Sequence, residues 1–214
     1  VIAHESRNCL QRIHAGVEIL HLDLSDRPEF VDELKRIEKA SHSLTKLFED
    51  LRDYAAPIQL QLDTHNIRRV WRAAWENLNH IREERETELR DVSHNDVDLC
   101  IPLDEFRIEQ VFRNLMENSL AACDNRAEIE IVCQDVQEEG GAALRIHVRD
   151  NGPGLTDDQS KHIFEPFFTT KSKGTGLGLA IAKRIIEAHD GHMSVGNGVH
   201  DGAEFVITLP RDRV

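Results

Sequence analysis

The sequence predicts an α+β protein: an N-terminal helical hairpin, then a two-layer α/β sandwich with helices on one face of a mixed sheet. Three observations carry that expectation. Apolar residues over the first quarter of the chain recur in steps of three and four, the period of a helix packed along one seam. Beyond Pro57, short alternating runs are interleaved with helical stretches. Two glycine-rich turns, Asp150-Asn-Gly-Pro-Gly-Leu155 and Gly174-Thr-Gly-Leu-Gly178, stand where a strand ends and where a helix begins.

The seam of the first helix is Leu10, Ile13, Val17, Leu20 and Leu24; that of the second is Phe30, Leu34, Ile37, Ser41, Leu44, Phe48 and Leu51. Residues 25–28 form the turn, with Pro28 suited to the first turn of a helix. Two such helices cannot bury a core alone. Two hairpins are therefore expected to pair as a four-helix bundle, a homodimer held through the N-terminal helices. Pro57 ends the second helix. Residues 1–56 are read as one domain and 57–214 as another. His14, His21 and His42 are read as surface residues.

In the second domain, Ile58, Leu60 and Leu62 alternate as a strand, and Asn66–Leu78 reads as a helix with Trp71 and Trp75 on one face. The charged run His80–Glu88 reads as a solvated helix end. Val97, Leu99 and Ile101 form a strand, and Leu103–Ala122 a helix. Strands at Ile129–Cys133 and Leu144–Val148 flank a loop at Gln137–Gly141. Thr156–His162 is a short helix. Leu179, Ile181, Ala182, Ile185 and Ile186 mark an amphipathic one, and Met193–Val195 and Phe205–Leu209 close the sheet.

The 214 residues carry a net charge of −13, which argues against a nucleic-acid groove. Cys9, Cys100, Cys123 and Cys133 lack metal-site spacing and read as reduced thiols of a cytoplasmic protein. No apolar run reaches the length of a membrane span, so no membrane contact is expected within these residues. The chain opens at Val1 inside a helical pattern. It is therefore expected to be a piece of a longer protein, with any sensor or membrane segment upstream.

Asp150 stands at the end of a strand, before Gly152 and Gly154. A carboxylate there can accept a hydrogen bond from an adenine amino group, whereas guanine presents a carbonyl. The turn Gly174–Gly178 leads straight into a helix, so its N–H groups and the helix dipole suit an anion. Asn114 and Asn118 share one helix face. Lys171 and Lys173, between the turns, can track a phosphate as flexible point charges.

Together these blocks resemble a known family. DNGPGL, FEPFF and GTGLGL are similar to the two glycine boxes and the phenylalanine box of sensor histidine kinases. Asn114-Leu-Met-Glu-Asn118-Ser-Leu-Ala resembles their asparagine box, on an ATP-binding fold shared with Hsp90, MutL and gyrase B. His4-Glu5-Ser6-Arg7-Asn8 resembles the H-E-x-R-N phospho-acceptor box. The resemblance implies that ATP lies among Asn114, Asn118, Asp150, Gly152, Gly154, Phe167, Thr170, Lys171, Gly174, Thr175, Gly176, Leu177 and Gly178, with Asn118 ligating Mg²⁺. It implies His4 as phospho-acceptor, Glu5 as general base, and a response-regulator receiver domain as partner. Glu5 and Asn8 form an E-x-x-N pattern similar to the phosphatase motif of bifunctional kinases, in which Asn8 would position a water.

Two departures matter. The ATPase relatives carry a water-activating Glu where this chain has Asn114, which suits a kinase that spares ATP from hydrolysis. The family's acceptor box usually has Pro where this chain has Cys9, so a straighter first helix is expected. Two rival readings use the same residues: an ATPase or serine kinase of the anti-sigma-factor kind, and a non-enzymatic scaffold dimer. The acceptor box at His4 argues against the first, and intact Asn118, Asp150 and glycines against the second.

Overall fold

The computed structural model describes residues 2–24, 27–83, 85–94, 96–123, 126–171, 174–196 and 201–212; Lys173 and the side chains of residues 2–7 and 28, His4 and Glu5 among them, lie outside the described residues. The chain forms two compact units. One comprises Val1–Ala56 with Thr169–Leu177, the other Pro57–Phe168 with Gly178–Val214.

In the first unit, α1 (Ile2–Asp23) and α2 (Pro28–Ala55) form a hairpin with Pro28 in the opening turn of α2. The predicted seams divide into two stripes. Leu10 and Val17 on α1, and Leu34 and Ser41 on α2, are buried between the helices. Ile13 and Leu20 on α1, and Phe30, Ile37, Leu44 and Leu51 on α2, stay exposed. Each exposed α2 residue follows the last by seven, so they form one stripe two turns apart. Half of each heptad closes the hairpin and half remains uncovered. His14 departs from its reading as a surface residue. It is half-buried on the seam, its Nε2 3.2 Å from Ser41 Oγ and its ring 4.4 Å from that of His42. Helix α1 runs through Cys9 without a break.

The second unit is a sandwich. Its elements are β1 (Asp63–Asn66), α3 (Ile67–Glu76), α4 (Asn79–Arg82), β2 (Glu86–Asp91), β3 (Cys100–Leu103), α5 (Glu105–Ala122), β4 (Arg126–Glu138), β5 (Gly141–Asp150), α6 (Asp157–His162), α7 (Gly178–Ala188), β6 (His192–Val195) and β7 (Glu204–Pro210). The main sheet runs β2-β4-β5-β7-β6, with only β2 and β4 parallel, and β1 pairs with β3 apart from it. Alternate residues of the central strands are buried: Ile129, Ile131 and Cys133 on β4, Leu144, Ile146 and Val148 on β5, Phe205, Ile207 and Leu209 on β7. They meet the apolar faces of α3, α5 and α7, where Trp71 and Phe112 pack edge to face with ring centroids 5.7 Å apart.

Several segments differ from their sequence reading, among them the strand expected over Val97–Ile101, which lies at Cys100–Leu103 as β3. The strand expected at 58–62 is displaced to Asp63–Asn66, because the Gln61 N–H donates to Asp104 Oδ2 (2.8 Å) instead of joining a ladder. The charged run at 80–88 ends as the edge strand β2, not as a helix. Thr87, Leu89 and Asp91 point inward, while Glu86, Glu88 and Arg90 face water, and Arg90 bridges Glu88 (2.7 Å) and Glu128 (3.2 Å). Charge on an exposed edge is a usual device against edge-to-edge pairing.

Helix α5 starts two residues later than predicted, at Glu105. Asp104 is its N-cap, accepting from the Arg107 N–H at 3.0 Å. Buried His189, just after α7, accepts from the Asp104 N–H at Nε2 (3.0 Å) and donates from Nδ1 to the Ile185 carbonyl (2.8 Å). An imidazole nitrogen that accepts from an amide must be unprotonated, so His189 is neutral here and ties the end of α7 to the start of α5. No helix among the described residues is long and apolar enough to cross a membrane.

Candidate nucleotide site

Helix α5 is the spine of the site. Its buried face, Ile108, Val111, Phe112, Leu115, Met116 and Leu120, faces the core and fixes its rotation. That rotation leaves Asn114 and Asn118 half-buried, one turn apart, and sends Ser119 inward.

Ser119 reaches the end of β5. Its Oγ donates to Asp150 Oδ2 at 2.8 Å, while Asp150 Oδ1 accepts from the Gly152 and Ala203 N–H groups, each at 3.0 Å. A carboxylate offers about four acceptor positions, and three are taken by the protein. The fourth suits one further donor, as an adenine amino group would be.

The loop before β7 makes this arrangement possible. Gly202 has φ +112°, and a Cβ there would lie 1.9 Å from the Asp150 carbonyl oxygen. Gly154 backs onto the same loop, facing the Gly202 carbonyl. Asn151 is structural: its side chain accepts from the Glu128 N–H (2.9 Å) and donates to the Arg126 carbonyl (3.0 Å), clamping β4.

One turn before Asn118, Asn114 Nδ2 donates to the carbonyl of Gly178, the first residue of α7, at 2.9 Å. Asn114 thereby holds the N-terminus of an 11-residue helix, whose first N–H groups and dipole favour an anion. The donor set fits MgATP: neutral amide oxygens on α5 for a hard cation whose counter-charge the nucleotide brings, and a carboxylate acceptor at the opposite end.

Phe167 sits at φ +69°, unusual for a bulky residue, and is 60% exposed, while Phe164 packs on Phe205 beneath Lys183.

The turn expected at the phosphates lies in the first unit. Thr169 Oγ1 accepts from the Lys171 N–H at 3.1 Å, and Gly176 holds φ +69°. Thr175 Oγ1 accepts from the Leu177 N–H at 3.4 Å; Leu177 is buried, Lys171 half-buried and Thr170 exposed. The structure thus gathers Asn114, Asn118, Asp150, Gly152, Gly154 and Gly178 in one unit, and Thr170, Lys171, Gly174, Thr175, Gly176 and Leu177 in the other. Asn8 is an exposed residue of α1. Ser119, Ala203 and Gly202 were missed by the sequence reading. Ser119 follows the asparagine box directly, and Gly202 precedes the last strand, but neither spacing reveals a shared carboxylate.

A groove of about 760 Å³ lies elsewhere, on the outer face of the sheet, lined in part by Arg145, His147, Arg149, His192 and Glu204. Most of its polar side chains are already partnered: Arg149 with Glu204 (2.7 Å) and Glu130 (3.1 Å), His147 with Glu204 (2.9 Å), Arg145 with Glu138 (2.5 Å). Burial pushes the Glu204 carboxyl up, but the bonds from Arg149 and His147 outweigh it and hold the group below the ordinary carboxylate range. The groove lacks the asparagine pair and the glycine turns.

Helices stacked on one face of a mixed sheet, with an acidic strand end bonded to the central helix, define an ATPase-type two-layer sandwich. Residues 103–213 match the model of the histidine kinase-, DNA gyrase B- and HSP90-like ATPases, and the chain belongs to that family. It is 32% identical over 209 residues to the sensor histidine kinase ZraS of Salmonella typhimurium, covering 98% of this chain and 44% of that protein. It is 33% identical over 219 residues to the signal transduction histidine-protein kinase AtoS of Escherichia coli, covering 98% of this chain and 34% of AtoS. The crystal structure of full-length ShkA in complex with AMPPNP superposes with a TM-score of 0.78 at 26% identity, over 98% of this chain and 44% of ShkA. The chain spans less than half the length of these relatives. The likeness covers the helical hairpin as well as the ATPase sandwich.

Proposed function

We propose that this chain is the kinase core of a two-component sensor: it binds MgATP, phosphorylates its own His4 and passes the phosphoryl group to an aspartate of a response-regulator receiver domain. The observation that carries this is the Asp150 carboxylate, bonded by Ser119, Gly152 and Ala203 with one acceptor position left for an adenine amino group. The sensor histidine kinases ZraS and AtoS, similar over 98% of the chain, support the reading, as does the AMPPNP of the ShkA complex.

Bound MgATP supplies the phosphoryl group and, through Mg²⁺, neutralisation of its charge. Asn118 is assigned to the metal and Asn114 to the phosphate end, where it also fixes Gly178. The remaining residues assigned to the nucleotide act by positioning and electrostatics, the main work of a phosphoryl transfer. At His4 a neutral ring nitrogen forms the N–P bond as the P–O bond to ADP breaks, and Glu5 accepts the proton of the other nitrogen. In the second transfer the N–P bond breaks as a receiver carboxylate oxygen bonds to phosphorus. No acidic residue stands at Asn114 to activate water, so hydrolysis of ATP is disfavoured. The exposed apolar stripes of α1 and α2 fit a homodimer, with residues 1–56 as its dimerisation and phosphotransfer domain and 57–214 as its catalytic domain. Four free cysteines accord with a cytoplasmic setting.

Asn8 carries a second role. Exposed on α1, one turn from position 4, it would orient a water against the receiver's aspartyl phosphate. The test is incubation with radiolabelled ATP and Mg²⁺, with and without receiver domains. Acid-labile, base-stable label on the chain that moves to a receiver is expected. Label stable in acid, or free phosphate alone, would indicate a serine kinase or an ATPase.

A further inference from the structure

We infer that Asp50 on α2 is a latch for the glycine turn, and that nucleotide must displace it. Thr175 Oγ1 donates to Asp50 Oδ2 at 2.6 Å, across 125 residues of sequence. The same oxygen accepts from the Leu177 N–H at 3.4 Å. A hydroxyl has one proton to donate, and here Asp50 holds it. The bond is charge-assisted, and Asp50 and Thr175 are both half-buried, so water competes weakly for it. The conformation around it is narrowly defined, with Gly176 at φ +69° and a Cβ at Gly174 excluded by Thr169 Oγ1 at 2.5 Å.

The inference rests on the proposed function in one respect, that this turn meets the phosphates of ATP. A phosphate oxygen there would need the proton that Asp50 holds, and its charge would be repelled by the carboxylate beside it. The two partners of Thr175 therefore exclude each other. Nucleotide binding releases Asp50, and by reciprocity whatever moves Asp50 changes nucleotide affinity. Asp50 immediately precedes Leu51, the last residue of the exposed stripe on α2. Changes in helix packing along that stripe are thus coupled to the ATP turn through one hydrogen bond.

The test uses the full chain and its Asp50→Ala variant, a substitution that suits a helix position. Amide exchange at residues 174–177 is measured without ligand, and affinity for a non-hydrolysable ATP analogue is measured with Mg²⁺. Asp50→Ala is expected to speed exchange in the turn and to tighten analogue binding about tenfold, equivalent to ~1.4 kcal/mol. Asp50→Asn, which keeps an acceptor oxygen without the charge, is expected to fall between. Unchanged exchange, or unchanged or weaker binding, would overturn the latch. An unsubstituted chain that binds no nucleotide would overturn the proposed function instead, while the ligand-free exchange would still decide whether Asp50 holds the turn.

Discussion

Ser119 and Asp150, 31 residues apart, are joined by a 2.8 Å hydrogen bond that fixes the end of β5 against the last turn of the sandwich's central helix. Both are nearly inaccessible, so the bond sets where the carboxylate points. Ser119→Ala removes a donor to a buried charged group, a loss of about 1.5–3 kcal/mol. Calorimetry is expected to show nucleotide affinity reduced about tenfold or more. Unchanged affinity with an unchanged melting temperature would remove Ser119 from the site.

Asn114 is expected to act on stability before it acts on chemistry. Asn114→Ala deletes the bond to the Gly178 carbonyl and should cost roughly 1 kcal/mol in denaturant unfolding without nucleotide. Asn114→Asp should cost more, because it sets a half-buried negative charge against that carbonyl. Equal stability of the two variants would contradict the contact.

The Glu204 network gives a pH signature. Because the folded-state Glu204 carboxyl is held low, it contributes stability above its unfolded value of about 4.3 and loses it as pH falls through the folded value. Glu204→Gln should therefore be less stable than the parent at pH 7, and the difference should shrink in acid below about pH 4.3. A difference independent of pH would show that packing, not charge, is at stake.

The exposed stripe on α2 predicts assembly. Ile37→Glu combined with Leu44→Glu places charge at two successive positions that are 47% and 42% exposed in a single chain. Light scattering should give a dimer for the parent and a monomer for the variant, with the sandwich still folded. A parent that is monomeric at micromolar concentration would refute the dimer.

What was legible in the sequence was local. Hydrophobic period showed the hairpin and the helices, and spacing put Asn114 and Asn118 on one helix face and Asp150 at a strand end, while their assignment to a nucleotide came from the family resemblance of the blocks taken together. What was hidden depends on tertiary pairing. Edge strand β2 looked like a charge run because its outward residues are Glu86, Glu88 and Arg90, and its inward ones only weakly apolar. The tie from His189 to Asp104 joins residues 85 apart, and a lone histidine near a helix end gives no sign of it. Ser119 belongs to the Asp150 site only because α5 is rotated by its apolar face. The heptads showed a seam, but not that half of it closes the hairpin and half stays open.

Where the phosphoryl group goes decides whether the chain is a histidine autokinase. After incubation of the full chain with radiolabelled ATP and Mg²⁺, the label should map to His4, and His4→Gln should abolish it while retaining nucleotide affinity within about twofold, well under the ~1.4 kcal/mol of a tenfold change. Stable label persisting on His4→Gln would contradict the assignment.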